Sequence, residues 1–174
     1  MDILKVINLE NVIEEEKKDF SIRNTARAVI VDDEKKIALI NISKEGFHQL
    51  IGGGINKGES VEEGLIRESK EEAGVDIEIL GELGIVVELK KEKKQIQNSY
   101  SFIAQVASKK IKPQFTRDEI ERRGFKLEWM CIDEAIKILK EEGYNCLLGQ
   151  YSYERDLVIL EEANNKLIKY GKFK

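Results

Sequence analysis

At 174 residues, with 41% hydrophobic and 36% charged side chains, the chain is long enough for one globular domain with a real core and a heavily charged surface. A formal net charge of −4 excludes the broad basic footprint of a protein that grips duplex DNA or RNA. No apolar run approaches the roughly 20 residues that a membrane-spanning helix needs.

Residues 1–20 hold a short apolar run, a candidate strand, and then the solvated stretch EEEKKD. They lack the small-residue cleavage site of a signal peptide. They read as an N-terminal extension ahead of one domain over 21–174. TARAVIVDD (25–33) is β-branched and alternating, DDEKK turns the chain, and KIALINIS (36–43) reads as the second arm of a hairpin. FHQLIGG (47–53) is a third strand that runs into glycines. Ser60 and Glu63 form a capping box for the helix that follows, and Gly74 is its natural stop. Residues 75–91 and 99–107 read as strands, 114–124 as a polar loop and 125–132 as a short strand. Residues 133–143 and 152–170 read as helices. Strands around one middle helix, with helices at the end, predict an α/β fold with a mixed sheet flanked by helices. Cys131 and Cys146 have no CxxC spacing and read as reduced thiols of a cytoplasmic protein. His48 is the only histidine, which argues against a Cys/His zinc site and against a Ser-His-Asp triad.

The informative stretch is LIGGGINKGESVEEGLIRESKEEAGVDI, from Leu50 to Ile77. At about 100° per residue, with Glu68 at zero, Glu72 lies near about 40° and Glu71 near about −60°. Three carboxylates then share one helix stripe, a repulsive arrangement that a hard cation relieves. Gly52, Gly53 and Gly54 let the backbone approach an ion or a phosphate with no Cβ in the way. Arg67, at helical spacing from Glu63 and Glu71, braces the carboxylates as a fixed fork. Taken singly, glutamates on a helix are ordinarily a solvated face, and glycines an ordinary loop. The conjunction points to a metal cluster awaiting a phosphate.

The stretch from Gly53 to Val75 resembles the Nudix box, G-x5-E-x7-R-E-U-x-E-E-x-G-U, with U a bulky aliphatic. Gly53, Glu59, Arg67, Glu68, Glu71, Glu72, Gly74 and Val75 all fall in register. Ser69 departs from it, standing where the box wants an aliphatic, and Ile51 stands where relatives often have proline. The late EWMCIDEA (128–135) is similar to the tryptophan strand and helix of such domains.

The resemblance implies a Nudix α/β/α sandwich around a mixed sheet. It implies an Mg²⁺-dependent hydrolase, with Mn²⁺ as a substitute, that cleaves a diphosphate linkage in a small nucleotide. Glu68, Glu71 and Glu72 match the metal-binding glutamates, with the Gly52 carbonyl as a further ligand. Glu59 and Arg67 match the pair that ties the loop to the helix. The general base is Glu68 or a glutamate of the 114–124 loop, where Glu119 and Glu121 are candidates and Glu121 is favoured for its place near the next strand. Gly53, Gly54, Arg23 and Arg27 are candidate contacts for the substrate. Tyr151, Tyr153, Arg155, Trp129 and His48 are weighed for substrate but read first as packing residues. Family members often form homodimers. A binding module without turnover, or a hydrolase or isomerase of a non-nucleotide diphosphate, are the competing readings.

Overall fold

The computed structural model describes residues 1–142 and 146–169. Its strands are β1 (Ile3–Ile7), β2 (Ser21–Val31), β3 (Ile37–Ile42), β4 (Phe47–Leu50), β5 (Ile77–Lys90), β6 (Gln95–Val106) and β7 (Phe125–Met130). Its helices are α1 (Glu14–Lys17), α2 (Val61–Glu68), α3 (Ile132–Glu141) and α4 (Leu147–Lys169). Two π-turns complete the described elements, one continuing α2 over Ser69–Ala73 and one over Glu119–Arg123.

The sheet is mixed, as expected, in the order β1-β5-β6-β2-β3-β4, with β7 on the other edge of β3. β2 runs parallel to β6 from Ser21↔Gln95 to Val31↔Gln105, and β1 runs parallel to β5. The long antiparallel hairpin is β5–β6, turned by the charged stretch Lys91–Lys94. The expected hairpin of β2 with β3 exists at one pair, Val31↔Ile37, beyond which the strands part. β3 then pairs with β4 and β7 instead. Through this split the chain after β4 crosses beside β2, bridging Ala28↔Ile51 and Thr25↔Gly54.

Helices cover both faces. One core cluster packs Leu65 and Ala73 of the α2 segment on Ala28, Ile40 and Phe102. The other packs Leu139 of α3 and Ile159, Leu160 and Ala163 of α4 on Val29, Leu39 and Val86. A side chain such as Leu65, fully buried, stabilises the fold by about 1.5–3 kcal/mol through removal of apolar area from water. The first twenty residues also enter the structure. β1 lies on the sheet edge, Ile7 is in the core, and Glu10 accepts a hydrogen bond from the Tyr151 hydroxyl at 2.9 Å.

Two boundaries differ from expectation for local reasons. The polar loop 114–124 contains a helical turn, started by a second capping box in which the Glu119 carboxylate accepts from the Thr116 amide at 2.8 Å. α4 begins at Leu147, five residues early. Gly143 and Tyr170, where two helices were expected to end, lie outside the described residues.

Candidate active site

The glycine segment is gripped by side chains from three elements. The Leu50 amide donates to Asp156 of α4 at 2.9 Å, and the Leu50 carbonyl accepts from Arg27 of β2 at 3.0 Å. Arg27 also donates to the Gly52 carbonyl, while the Gly52 amide donates to Glu72 at 2.8 Å. Gly52 sits at φ +135°, and a Cβ there would lie 2.0 Å from the Ala26 carbonyl oxygen. Glycine is required both for the dihedral and for the approach.

The helix behind it starts where its sequence says. The Glu63 amide donates to Ser60 Oγ at 3.1 Å, and the Ser60 amide donates to Glu63 at 2.8 Å. At Ser69 the α-turn widens into the π-turn. The Ser69 hydroxyl is fully buried and donates back to the Leu65 carbonyl at 2.8 Å, a bond that loosens helices. The wider i→i+5 turn changes which carboxylates meet. Glu68 and Glu72 face the glycines. Glu71 accepts from the same Arg67 Nη1 that holds Glu68 and lines an outer hollow with Glu63 and Gln114. Of the three carboxylates, Glu68 and Glu72 line the cavity with the glycines. Among the described residues no three acidic, His or Cys side chains are gathered as a metal cluster.

Arg67 holds this arrangement together. Its Nε and Nη2 donate to the two oxygens of Glu59 at 2.8 and 3.2 Å, and its Nη1 donates to Glu68 at 2.8 Å and Glu71 at 3.1 Å. Nη2 also donates to the Gly54 carbonyl at 2.8 Å, tying helix to loop. The hydrogen bonds from Arg67 and from the Asn56 amide hold the Glu59 carboxyl down to about 2. Glu72 is the opposite case. Burial pushes it up to about 8, against the pull of Arg27 and the Gly52 amide. A buried carboxylate raised in this way is stabilised by a bound cation. Gly53 fits the same ligand, because a Cβ there would lie 2.4 Å from a Glu68 carboxylate oxygen, so the glycine keeps that carboxylate against the backbone. The donor set, two carboxylates and a carbonyl-bearing turn, is all oxygen and suits a hard divalent ion.

Gly52, Gly53, Gly54, Glu68 and Glu72 line a cavity of about 370 Å³. The NUDIX domain family profile matches residues 22–148, nearly three quarters of the chain. The chain belongs to the Nudix family.

Solved structures of similar fold agree with this Nudix architecture. The E. coli ORF135 protein superposes with a TM-score of 0.57 at 18% identity, over 85% of this chain and 92% of its own. An ADP-ribose pyrophosphatase from Streptococcus suis gives 0.53 at 20% identity, over 81% and 91%. A UDP-X diphosphatase gives 0.55 at 20% identity, over 84% of this chain and 64% of its own. No curated relative matches by sequence. With the family established and every glycine, glutamate and arginine of its box in register, the chain is a pyrophosphohydrolase of the Nudix type.

The structure sorts the remaining candidates of this Nudix domain. Arg23, Arg27 and Arg155 line the cavity with Glu68 and Glu72. Arg155, read first as packing, is buried yet reaches the cavity wall. Glu119 lines the cavity, whereas Glu121 is exposed and pairs with Arg117 at 2.8 Å on the outer side of its turn. Tyr151 is buried, with its hydroxyl bonded to Glu10 and Leu89. Trp129 packs in the core cluster that holds α2, with Lys110 Nζ 3.7 Å above its ring. His48 lies off the cavity, bonded to Glu142 and, at 3.2 Å, to Glu128. Lys90, Lys93, Gln97 and Ser152 also line the cavity, and sequence reasoning missed them. For Gln97 a signal was present in QIQNSYS (95–101), a period-two polar stripe that reads equally well as a solvent face, whereas Lys90, Lys93 and Ser152 lie outside it.

Proposed function

We propose that this protein hydrolyses a diphosphate linkage in a nucleoside diphosphate joined to another group, with Mg²⁺ held by Glu68 and Glu72 beside the Gly52 carbonyl. The observation that carries the reading is the meeting of those two carboxylates with the Gly52–Gly54 backbone in one cavity that Arg23, Arg27, Lys90 and Arg155 also line. A divalent ion bound there supplies charge neutralisation for the phosphate oxygens and acidifies water. The chain's own residues do the rest. Arg67 fixes Glu68 and the Gly54 carbonyl, and Glu72 fixes the Gly52 amide, so the ligands are held in place before substrate arrives. Arg23 stands over Gly54, where an added Cβ would lie 3.3 Å from its guanidinium, and is placed to bind a phosphate oxygen. Glu119 at the cavity rim is the loop carboxylate best placed to accept a proton from water, with Glu68 the other candidate. Glu71 sits outside the cavity and braces Arg67. The printed activities of two solved relatives, an ADP-ribose pyrophosphatase and a UDP-X diphosphatase, are in keeping with a nucleoside diphosphate linked to a variable group.

The test is a panel of nucleotides incubated with Mg²⁺ and separately with Mn²⁺, products identified by mass, with Glu72→Gln run alongside. Cleavage at a diphosphate by the wild type alone supports the reading. No turnover of any member sinks it.

A further inference from the structure

The strand that leads into the glycines takes its hydrogen bonds in two ways. The Ile51 and Gly53 carbonyls accept from the Ala28 and Ala26 amides of β2, both at 3.0 Å. The alternate amides of His48, Leu50 and Gly52 donate instead to carboxylates, at 3.0, 2.9 and 2.8 Å. Each carboxylate comes from a different helical element: Glu142 from the end of α3, Asp156 from α4, and Glu72 from the π-turn that continues α2. Alternate residues of a strand direct their backbone groups to the same edge. The three acids therefore serve one edge of the chain, and the last of them is the candidate ligand Glu72.

Asp156 is the most deeply set of the three. It is 0% exposed and stands behind the cavity wall, which its neighbour Arg155 reaches. Its carboxylate also accepts from Arg155 Nε at 2.6 Å and Nη2 at 2.9 Å, which compensates the buried charge. The Leu50 carbonyl is held by Arg27 at 3.0 Å, and Arg27 donates as well to the Gly52 carbonyl. Leu50 is thus clamped at both of its backbone groups, two residues before the carbonyl proposed to meet the metal. Ile159, Leu160 and Ala163 already pack α4 on the sheet. A neutral acceptor would satisfy the Leu50 amide without burying an ion pair, whereas a charged one makes a bond roughly twice as strong. Arg155 and Asp156 both fall beyond residues 22–148, so the part of α4 that the family profile does not describe supplies this support.

We propose that Asp156 is a positioning residue for the metal site: through the Leu50 amide it fixes the stretch of backbone that presents the Gly52 carbonyl, and Arg155 holds its carboxylate in place. This rests on the metal reading above and adds to it a residue that touches neither metal nor substrate. Groups that orient a ligand from behind govern metal affinity nearly as strongly as the ligands themselves.

The test is calorimetric binding of Mn²⁺ to the full chain without substrate, at the site that Glu72→Gln removes, together with hydrogen exchange of the Leu50 amide by NMR. Asp156→Asn leaves one oxygen for the Leu50 amide and Arg155 to share, and Asp156→Ala leaves none. Both delete the same charge, so the difference between them reads the hydrogen bond and not the field. Mn²⁺ affinity should fall about threefold in Asp156→Asn and about tenfold or more in Asp156→Ala, with exchange at Leu50 rising in the same order. Glu154→Gln, which alters a half-exposed pair with Lys5 two residues earlier on α4, should leave both readings within about twofold. Equal losses of affinity in the two Asp156 variants overturn the proposal. Where the alanine variant does not fold, Asp156→Asn decides: faster exchange at Leu50 with weaker Mn²⁺ binding supports the proposal, and a change in neither or in only one of the two overturns it. Absence of Mn²⁺ binding in the wild type sinks the metal reading and this proposal with it, whereas wild-type binding that the Asp156 variants retain sinks this proposal alone.

Discussion

Glu72 is held at 7% exposure in a site where burial opposes its charge. Glu72→Gln keeps the shape and an oxygen for the Gly52 amide while removing the charge. Turnover should fall by about 100-fold or more, as for loss of one strong transition-state stabiliser. Circular dichroism should show an intact fold, and metal-free thermal stability should hold or rise, because the burial that opposes the Glu72 charge no longer acts on a neutral side chain. The two glutamates of the late turn separate in the same way. Glu119→Gln retains the capping box, which accepts Gln, but removes a carboxylate from the cavity, so kcat should drop with little change in melting temperature. Glu121→Gln alters an exposed pair with Arg117 and should leave kcat within about twofold. Sequence proximity to β7 favoured Glu121. Which side of a helical turn faces the site is a matter of rotation, and one or two residues along the chain reverse it.

His48 has a separate consequence. Burial pulls its pKa down, but hydrogen bonds and charges from Glu142 and Glu128 outweigh that and raise it above 6.5. A group raised in the folded state contributes stability fully below its unfolded value, and that contribution is lost as pH rises through the folded one. The stability advantage of wild type over His48→Gln, measured by urea unfolding, should therefore be largest below pH 6.5 and shrink as pH rises above it.

Among the elements, the segment from Gly52 to Gly74 shows what local chemistry specifies. Ser60 with Glu63 starts the helix, and Gly74 at φ +64° stops it, both legible from residue types alone. Gly74→Ala would strain the left-handed turn and place a Cβ 2.1 Å from the Ile111 carbonyl. Differential scanning calorimetry should show a loss of more than about 1 kcal/mol, at about 2–4 °C per kcal/mol for a chain of this size. Thr116 with Glu119 carries the same capping signal as Ser60 with Glu63, so the late helical turn is legible in the sequence despite its polarity. The π-turn was not readable. Its hydrogen-bond pattern depends on how Ser69 and Ala73 pack under the sheet, which the ideal 3.6-residue period does not carry.

Across the whole molecule, acidic surface and basic cavity are separated. A chain of net charge −4 whose cavity is lined by an excess of cations concentrates field lines at the opening and draws in polyanions. Substrate KM should rise severalfold between about 0.05 and 0.5 M salt while kcat changes little, because screening acts on encounter. The mixed sheet with helices on both faces followed from the order of elements. The strand partners did not. Pairing of β2 with β6 rather than fully with β3 is a long-range choice, made once the Lys91–Lys94 turn folds β6 back along β5. The polar stripe Gln97, Ser99 and Ser101 is buried, although its period-two pattern reads equally well as a solvent face.

The π-turn also bears on how this molecule would respond to a shortened chain. A π-turn is an α-helix carrying one surplus residue, and it sits here between Ser69 and Ala73. Deleting Lys70 would let α2 close into regular α-helix, a gain in helical regularity. Glu71 and Glu72 would each step back one position and swing about 100° around the axis, away from the Gly52 amide. The shortened protein would be better hydrogen-bonded as a helix and inert as an enzyme. The surplus residue is thus a defect that the fold retains at some loss of stability, because it aims a carboxylate.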